Sequence, residues 1–228
     1  YRQKRRRLRR ATTNEVVLML LPEDIQRIQT RLQGELPGEQ AHLAMLPYRE
    51  ATSKMLETVN DFRESAVSIL LYHEAENLRS VLIQRPTYNG THSGQMAFPG
   101  GKRDPSDRDL IHTALREMHE EIGFHDPDIL HLGALSRVFI PVSRFLVYPH
   151  VFYSNKIHPF TPDPIEVADI VTFNFFDICQ PENKTTTKIK LDNGVNLKDI
   201  PCFMIEGKVV WGATALVMEE MRRVVGTL

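Results

Sequence analysis

A mixed α/β (α+β) sandwich is the fold class that this sequence predicts, and three observations predict it. Strand-length runs of β-branched and aliphatic residues lie on both sides of one amphipathic stretch at 107–122, a second apolar-striped helix occupies 213–225, and Gly, Pro and polar clusters separate the segments. No internal repeat or low-complexity tract competes with this reading.

Taken in order, Pro22-Glu23-Asp24 opens a short helix over 22–33, its acids placed where they complement the helix dipole. Residues 34–62 form a lead-in punctuated by Pro and Gly. Runs at 66–72 and 80–85 read as a hairpin across the polar stretch 73–79, and 95–98 reads as a further strand. Pro99-Gly100-Gly101 then forces a turn, 107–122 follows with helical periodicity, and Gly123 supplies a C-cap. Downstream, 130–140, 146–153 and 168–173 read as strands, with Pro141 and Pro149 marking breaks or edges. Segments 189–191, 202–205 and 209–211 add a small ribbon before the terminal helix. The division expected is an arm at 1–20, a helical lead-in at 21–62 and one domain at 63–228.

With 228 residues, 42% of them hydrophobic, the chain can bury one substantial core. Its two cysteines, Cys179 and Cys202, are too few for a disulfide framework or a four-ligand zinc site; they read as two buried thiols and favour a reducing compartment. No apolar run reaches bilayer-crossing length, so a soluble protein without a membrane partner is expected. The net charge of −1 conceals an asymmetry. Seven of the 28 basic residues (Arg2, Lys4, Arg5, Arg6, Arg7, Arg9, Arg10) fall in the first ten positions, leaving 21 against 29 acids in the remainder. Such an arm suits RNA, an acidic protein partner or organelle targeting, and equally a solvated tail. The expected location is intracellular, mitochondrial or cytoplasmic, and not secreted.

The chemistry is concentrated on the 107–122 helix. At about 100° per residue, Leu110, Ile111, Ala114, Leu115, Met118 and Ile122 form one apolar face that packs on a sheet. Glu117, Glu120 and Glu121, at i, i+3 and i+4, gather three carboxylates on an adjacent face. That cluster is unfavourable without cations, and its hard oxygen donors suit Mg²⁺, with Mn²⁺ an allowed substitute. Arg116, four residues before Glu120, is placed to orient a carboxylate through an i,i+4 pair. Beside the helix, Gly100, Gly101 and Lys102 form a loop whose glycines let backbone approach a ligand closely.

Gly101, Arg116-Glu117, Glu120-Glu121 and Gly123 together resemble the Nudix box, G-x5-E-x7-R-E-x-x-E-E-x-G. One residue is inserted between Gly101 and Arg116, and Asp107 stands near the position of the isolated glutamate. The resemblance covers about 65–220 and is closest to the coenzyme A pyrophosphatase-like branch, whose upstream signature is matched by Leu82, Arg85, Gly94, Phe98, Pro99, Gly100 and Gly101, and whose downstream stretch is similar to Trp211-Gly212-Ala213-Thr214-Ala215. It departs at Pro86, where that branch has Ser or Ala, and at Gly90, where it has a second arginine that suits a 3′-phosphate.

The resemblance implies a Nudix α/β/α sandwich with a central mixed sheet and a metal-dependent hydrolase of diphosphate linkages. Glu117, Glu120 and Glu121 would hold the metal, Arg116 would orient them, and Glu166 is the candidate distal base or ligand. Arg85, Tyr88, His92, Gln95, Gly100, Gly101 and Lys102 would meet the substrate, although a purely structural hydrogen bond is as open for His92. The substrate implied is a coenzyme A-like nucleoside diphosphate derivative. The rival is a 5′-triphosphorylated RNA, favoured by Gly90 and the basic arm, with a fainter similarity to mitochondrial Nudix 5′-pyrophosphohydrolases of edited mRNA in trypanosomes. A catalytically weak module that binds RNA or a protein is the remaining class, and a homodimer is an allowed assembly.

Overall fold

The computed structural model describes residues 21–46, 49–87, 92–156, 159–190, 194 and 196–226. The arm at 1–20, Tyr88, Gly90 and Leu191 lie outside the described residues.

The lead-in carries three short helices, α1 (Glu23–Leu32), α2 (Gly38–Leu43) and α3 (Thr52–Leu56). Strands β1 (Arg63–Glu74) and β2 (Asn77–Gln84) make the expected hairpin, followed by β3 (Met96–Ala97), β4 (Gly100–Lys102) and helix α4 (Leu110–Ile122). Strands β5 (Leu130–Ala134), β6 (Val138–Ile140), β7 (Phe145–Ser154) and β8 (Asp169–Asn174) complete the main sheet. A ribbon of β9 (Lys184–Lys190), β10 (Asn196–Ile205) and β11 (Lys208–Val210) precedes helix α5 (Gly212–Val225).

The sheet is mixed. β1 and β7 run parallel in one register from Arg63 opposite Phe145 to Tyr72 opposite Ser154, and every other pairing is antiparallel. Each of these two central strands shares its outer edge between two neighbours. β2 takes Tyr72–Glu74 of β1 while β4 takes Ser65–Val67; β5 takes the His150–Tyr153 end of β7 while β6 takes the Phe145–Val147 end. The sheet therefore forks at the end that carries β4 and β6.

Both faces of β1 are covered, which is why its interior reads as a continuous apolar run. Leu70 and Tyr72 point to one side, against Ala114, Met118 and Ile122 of α4. Ile69 and Leu71 point to the other, into a core with Ile25 and Ile28 of α1 and Leu216 and Met221 of α5. Ser68 in β1 also donates to the carbonyl of Ala114 at 2.8 Å, fixing α4 along its sheet face. The result is the expected α/β/α sandwich.

Three expectations need correction. The 130–140 segment is two strands, because Ser136 leaves the ladder and its N–H turns to the carboxylate of Glu220 in α5. Pro149 lies inside a central strand, with neither a break nor an edge. Its carbonyl accepts from Leu135, so its missing N–H faces the gap between β5 and β6, where no ladder bond is lost. Of the two free thiols, Cys202 is buried and Cys179 only half-buried.

The terminal helix is pinned by two buried acids. Glu220 accepts from Gly38 N, Ser136 N and His42, joining the lead-in and the β5–β6 junction to α5. Glu219 accepts from Lys184, Arg222 and Arg223. Burial works to raise its carboxyl, but the hydrogen bonds from Arg222, Lys184 and Arg223 outweigh it and hold the group at about 2. A lowered folded-state value means stability that is present above the ordinary 4.5 and lost as pH falls toward 2. Glu219→Gln should cost about 1–2 kcal/mol at pH 7, since the cations are one-third exposed. In urea titrations the gap to the parent chain should narrow as pH drops from about 5 to about 3; a gap independent of pH would contradict the assignment.

Candidate active site

The candidate site lies at the forked end of the sheet. α4 starts behind Asp109, whose side chain accepts from His112 N at 2.7 Å, and ends at Gly123, whose φ of 66° is the left-handed conformation that glycine adopts freely. Beyond that cap, the last-turn carbonyls of α4 are taken by the following loop: Thr161 N–H donates to Ile122 and Asp163 N–H to Glu121, both at 2.9 Å. Asp163 then accepts from the N–H groups of Ile165 and Glu166. The helix end thus docks the loop that brings Glu166 back to the acids of α4.

The carboxylates of Glu117, Glu121 and Glu166 offer oxygens within 4.8 Å of one another. Glu121 is buried and accepts from the Gly100 N–H at 2.7 Å. Burial raises its carboxyl to about 8; the Gly100 N–H and Arg85 offset this only in part, and Glu117 and Glu166 add to it. Burial likewise pushes Glu117 up, against the pull of Arg116. Glu120, with 53% of its side chain exposed, sits on Arg116 at 2.7 Å instead of in this group of three.

Arg116 is fixed from several directions. It donates through Nε and Nη2 to the two oxygens of Asp107 at 3.0 and 2.9 Å, through Nη1 to Glu117 and Glu120, and through Nη2 to the Lys102 carbonyl. Asp107 precedes the helix, and its side chain is fully buried. The Arg116 guanidinium holds its carboxyl well below the usual carboxylate range despite that burial, with the Asp104 N–H, His112 and Thr113 adding to the effect. Its sequence position near the isolated glutamate of the Nudix box left its role open; its place here is as the anchor of Arg116.

The double glycine has a steric cause at each position. A Cβ on Gly100 would stand 2.3 Å from the Ala66 carbonyl oxygen and 2.6 Å from Val67 Cα, so β4 can lie against β1 only without a side chain there. A Cβ on Gly101 would stand 2.3–2.6 Å from the Glu117 carboxylate. Gly101 therefore clears the space that Glu117 occupies.

Arg85, His92, Gln95, Gly100, Gly101, Lys102, Glu117, Glu121 and Glu166 all line one cleft of about 630 Å³. His92 has a positive φ of 71° and shares a 3.2 Å hydrogen bond with Gln95, while the Nε of Arg85 is buried with no partner among the described residues. Val138, Ile140, Phe145, Val147 and Val217 add an apolar wall to the same cleft. This apolar wall was not singled out in the sequence, since strand residues that line a cleft and strand residues that fill a core have the same pattern. Cleft size and lining, a few convergent polar groups in a mostly apolar cavity, suit a small organic ligand.

A NUDIX domain model matches residues 62–191, more than half of the chain, and the chain belongs to that family. Among curated relatives, it is 33% identical over 132 residues to the human (Homo sapiens) mitochondrial coenzyme A diphosphatase NUDT8, covering 57% of this chain and 55% of that protein. It is 30% identical over 197 residues to the chloroplastic Nudix hydrolase 22 of Arabidopsis thaliana, covering 79% and 65%. The chain thus spans between half and two thirds of the length of these relatives. Among solved structures, the MutT/nudix family protein from Enterococcus faecalis is 16% identical with a TM-score of 0.49, covering 85% of this chain and 76% of that one.

The two glycines predict distinguishable failures. Gly100→Ala collides with backbone and should cost about 3 kcal/mol or prevent folding, since overpacking here has nowhere to relax. The atoms nearest a Cβ at Gly101 belong to the Glu117 carboxylate, the far end of a side chain, so with Gly101→Ala the chain should melt near the parent temperature while Mn²⁺ affinity falls about tenfold as Glu117 is displaced. Thermal melts and calorimetric titration with Mn²⁺ check both; equal destabilisation by the two substitutions would contradict the steric assignment.

Proposed function

We propose that the chain is a divalent-metal-dependent hydrolase of the diphosphate linkage in a coenzyme A-like nucleoside diphosphate derivative. The observation that carries this reading is the convergence of Glu117, Glu121 and Glu166 in a cleft that Gly100 and Gly101 also line. The donor set fits a hard cation, being made of carboxylate oxygens alone, and Mg²⁺, with Mn²⁺ as substitute, matches that chemistry. Glu117, Glu121 and Glu166 would hold it, with Glu120 adjacent on Arg116. When bound, the cation offsets negative charge on the diphosphate oxygens.

The side chains then divide the remaining work. Arg116, locked to Asp107, keeps Glu117 and Glu120 aligned. Arg85 offers a buried, unsatisfied Nε to an anionic substrate oxygen. Glu166 would give one carboxylate oxygen to the cation and leave the other to accept the proton of the attacking water: it is exposed and its carboxylate makes no hydrogen bond among the described residues, whereas Glu121 is tied to Gly100 and Glu117 to Arg116. The apolar wall of Val138, Ile140 and Phe145 accommodates the aliphatic part of such a substrate. The names of the relatives, one a coenzyme A diphosphatase, support this class, as does the branch resemblance across 65–220. Mitochondrial location rests on the same relative and on the basic arm; no described helix is long and apolar enough to cross a membrane.

Incubation with Mg²⁺ and coenzyme A should yield 4′-phosphopantetheine and adenosine 3′,5′-bisphosphate, followed by mass spectrometry. Glu121→Gln and Glu166→Gln should each lower turnover at least about a hundredfold in a chain that remains folded. Pyrophosphate released from a 5′-triphosphorylated RNA, with coenzyme A untouched, would replace this reading by RNA 5′-end processing.

A further inference from the structure

A second cleft of about 800 Å³ lies beside the first, and the two share His92, Gln95, Met96, Ile140 and Ala213 as lining residues. Beside Gln84 of β2, its other walls draw on parts outside the main sheet: Arg49 from the lead-in, Thr187, Lys188 and Ile189 from β9, Lys208 and Val209 from β11, and Trp211. Arg49, Lys208 and Trp211 fall outside the stretch matched by the family.

The charges in this cleft are unevenly satisfied. Lys208 is neutralised, donating to Gln84 at 2.9 Å and pairing with Asp169 at 3.1 Å. Arg49 is half-buried, and its Nη2 is buried without a hydrogen-bond partner among the described residues. Glu39, the acid whose charge acts on it, also accepts from the N–H and hydroxyl of Ser53. Lys188, exposed on β9, makes no ion pair among the described residues. A buried guanidinium nitrogen with no acceptor is costly, and it is stabilised by an anion that supplies one. Arg49, whose acid is shared with Ser53, and Lys188, which has no ion pair among the described residues, leave positive charge that suits a phosphate monoester, and Arg can meet two of its oxygens at once.

We propose that Arg49 and Lys188 form a subsite for a phosphate monoester carried on the nucleoside part of the substrate, away from the diphosphate that is cleaved. The inference rests on the diphosphatase reading for the identity of the substrate, and its location follows from the residues shared by the two clefts. Trp211 in the same cleft offers an aromatic surface to the nucleoside that bears the phosphate. The subsite makes the lead-in and the ribbon part of substrate selection.

Binding of adenosine 3′,5′-bisphosphate and adenosine 5′-monophosphate, measured by calorimetry with the full chain and Mg²⁺, tests the subsite without any turnover. The bisphosphate should bind about tenfold more tightly, a preference that Arg49→Gln and the exposed Lys188→Gln each reduce and their combination abolishes. Arg49→Lys should retain part of it. Equal affinity of the parent chain for the two nucleotides, or variants that weaken both alike, would overturn the subsite. Hydrolysis of coenzyme A is scored separately: a chain that cleaves it yet shows no bisphosphate preference loses the subsite and keeps the activity, and a chain with the preference but no cleavage keeps the subsite and loses the proposed substrate.

Discussion

The burial of acidic side chains beside one another is the constraint around which this molecule is arranged. Three acids with oxygens inside 4.8 Å, one of them buried, would separate if their backbones were free to move. They do not separate because each is fixed by a different part of the fold. Glu121 is held by the Gly100 N–H of β4, Glu117 by Arg116, and Glu166 by a loop hydrogen-bonded to the end of α4. A fold that pays for such an arrangement through backbone contacts has prepared a place for positive charge.

The same logic extends outward. Arg116 could not hold two glutamates in place if its own position were loose, and the buried carboxylate of Asp107 removes that freedom with two hydrogen bonds. Asp107 in turn is set by Asp104 N, His112 and Thr113, all within the turn that starts the helix. On the sheet side, β4 reaches its position only because Gly100 and Gly101 present no side chains to β1 and Glu117. The helix, the turn before it, the strand beside it and the loop after it therefore form one unit, with the cleft at its open side.

Much of this was legible in the sequence because it is local. The apolar face of α4, the nearness of Glu117 to Glu121 and the i,i+4 pairing of Arg116 with Glu120 follow from helical periodicity, and the C-cap at Gly123 from the residue type. What periodicity does not carry is which acid a distant loop brings back, or which carboxylate an arginine will choose. Glu120 and Glu121 are adjacent in sequence, yet one faces Arg116 and the other lies buried against Gly100. Asp107, read from the sequence as the start of the helix, lies before its first residue, Leu110, so its pairing with Arg116 has no helical spacing to announce it. Pro149 was read as an edge because a missing donor in a central strand is usually costly, and only the forked pairing of β7 removes that cost. Arg49 belongs to the lead-in, far in sequence from the β9–β11 ribbon, so their sharing of one cleft has no local pattern to announce it.

The central claim is that these carboxylates converge on a divalent cation. Its most direct test is anomalous diffraction from crystals grown with Mn²⁺, at a wavelength near the manganese edge. The account predicts a peak bonded to oxygens of Glu117, Glu121 and Glu166, lost in Glu121→Gln crystals. A well-ordered site with no anomalous peak, or a peak held by other side chains alone, would contradict it.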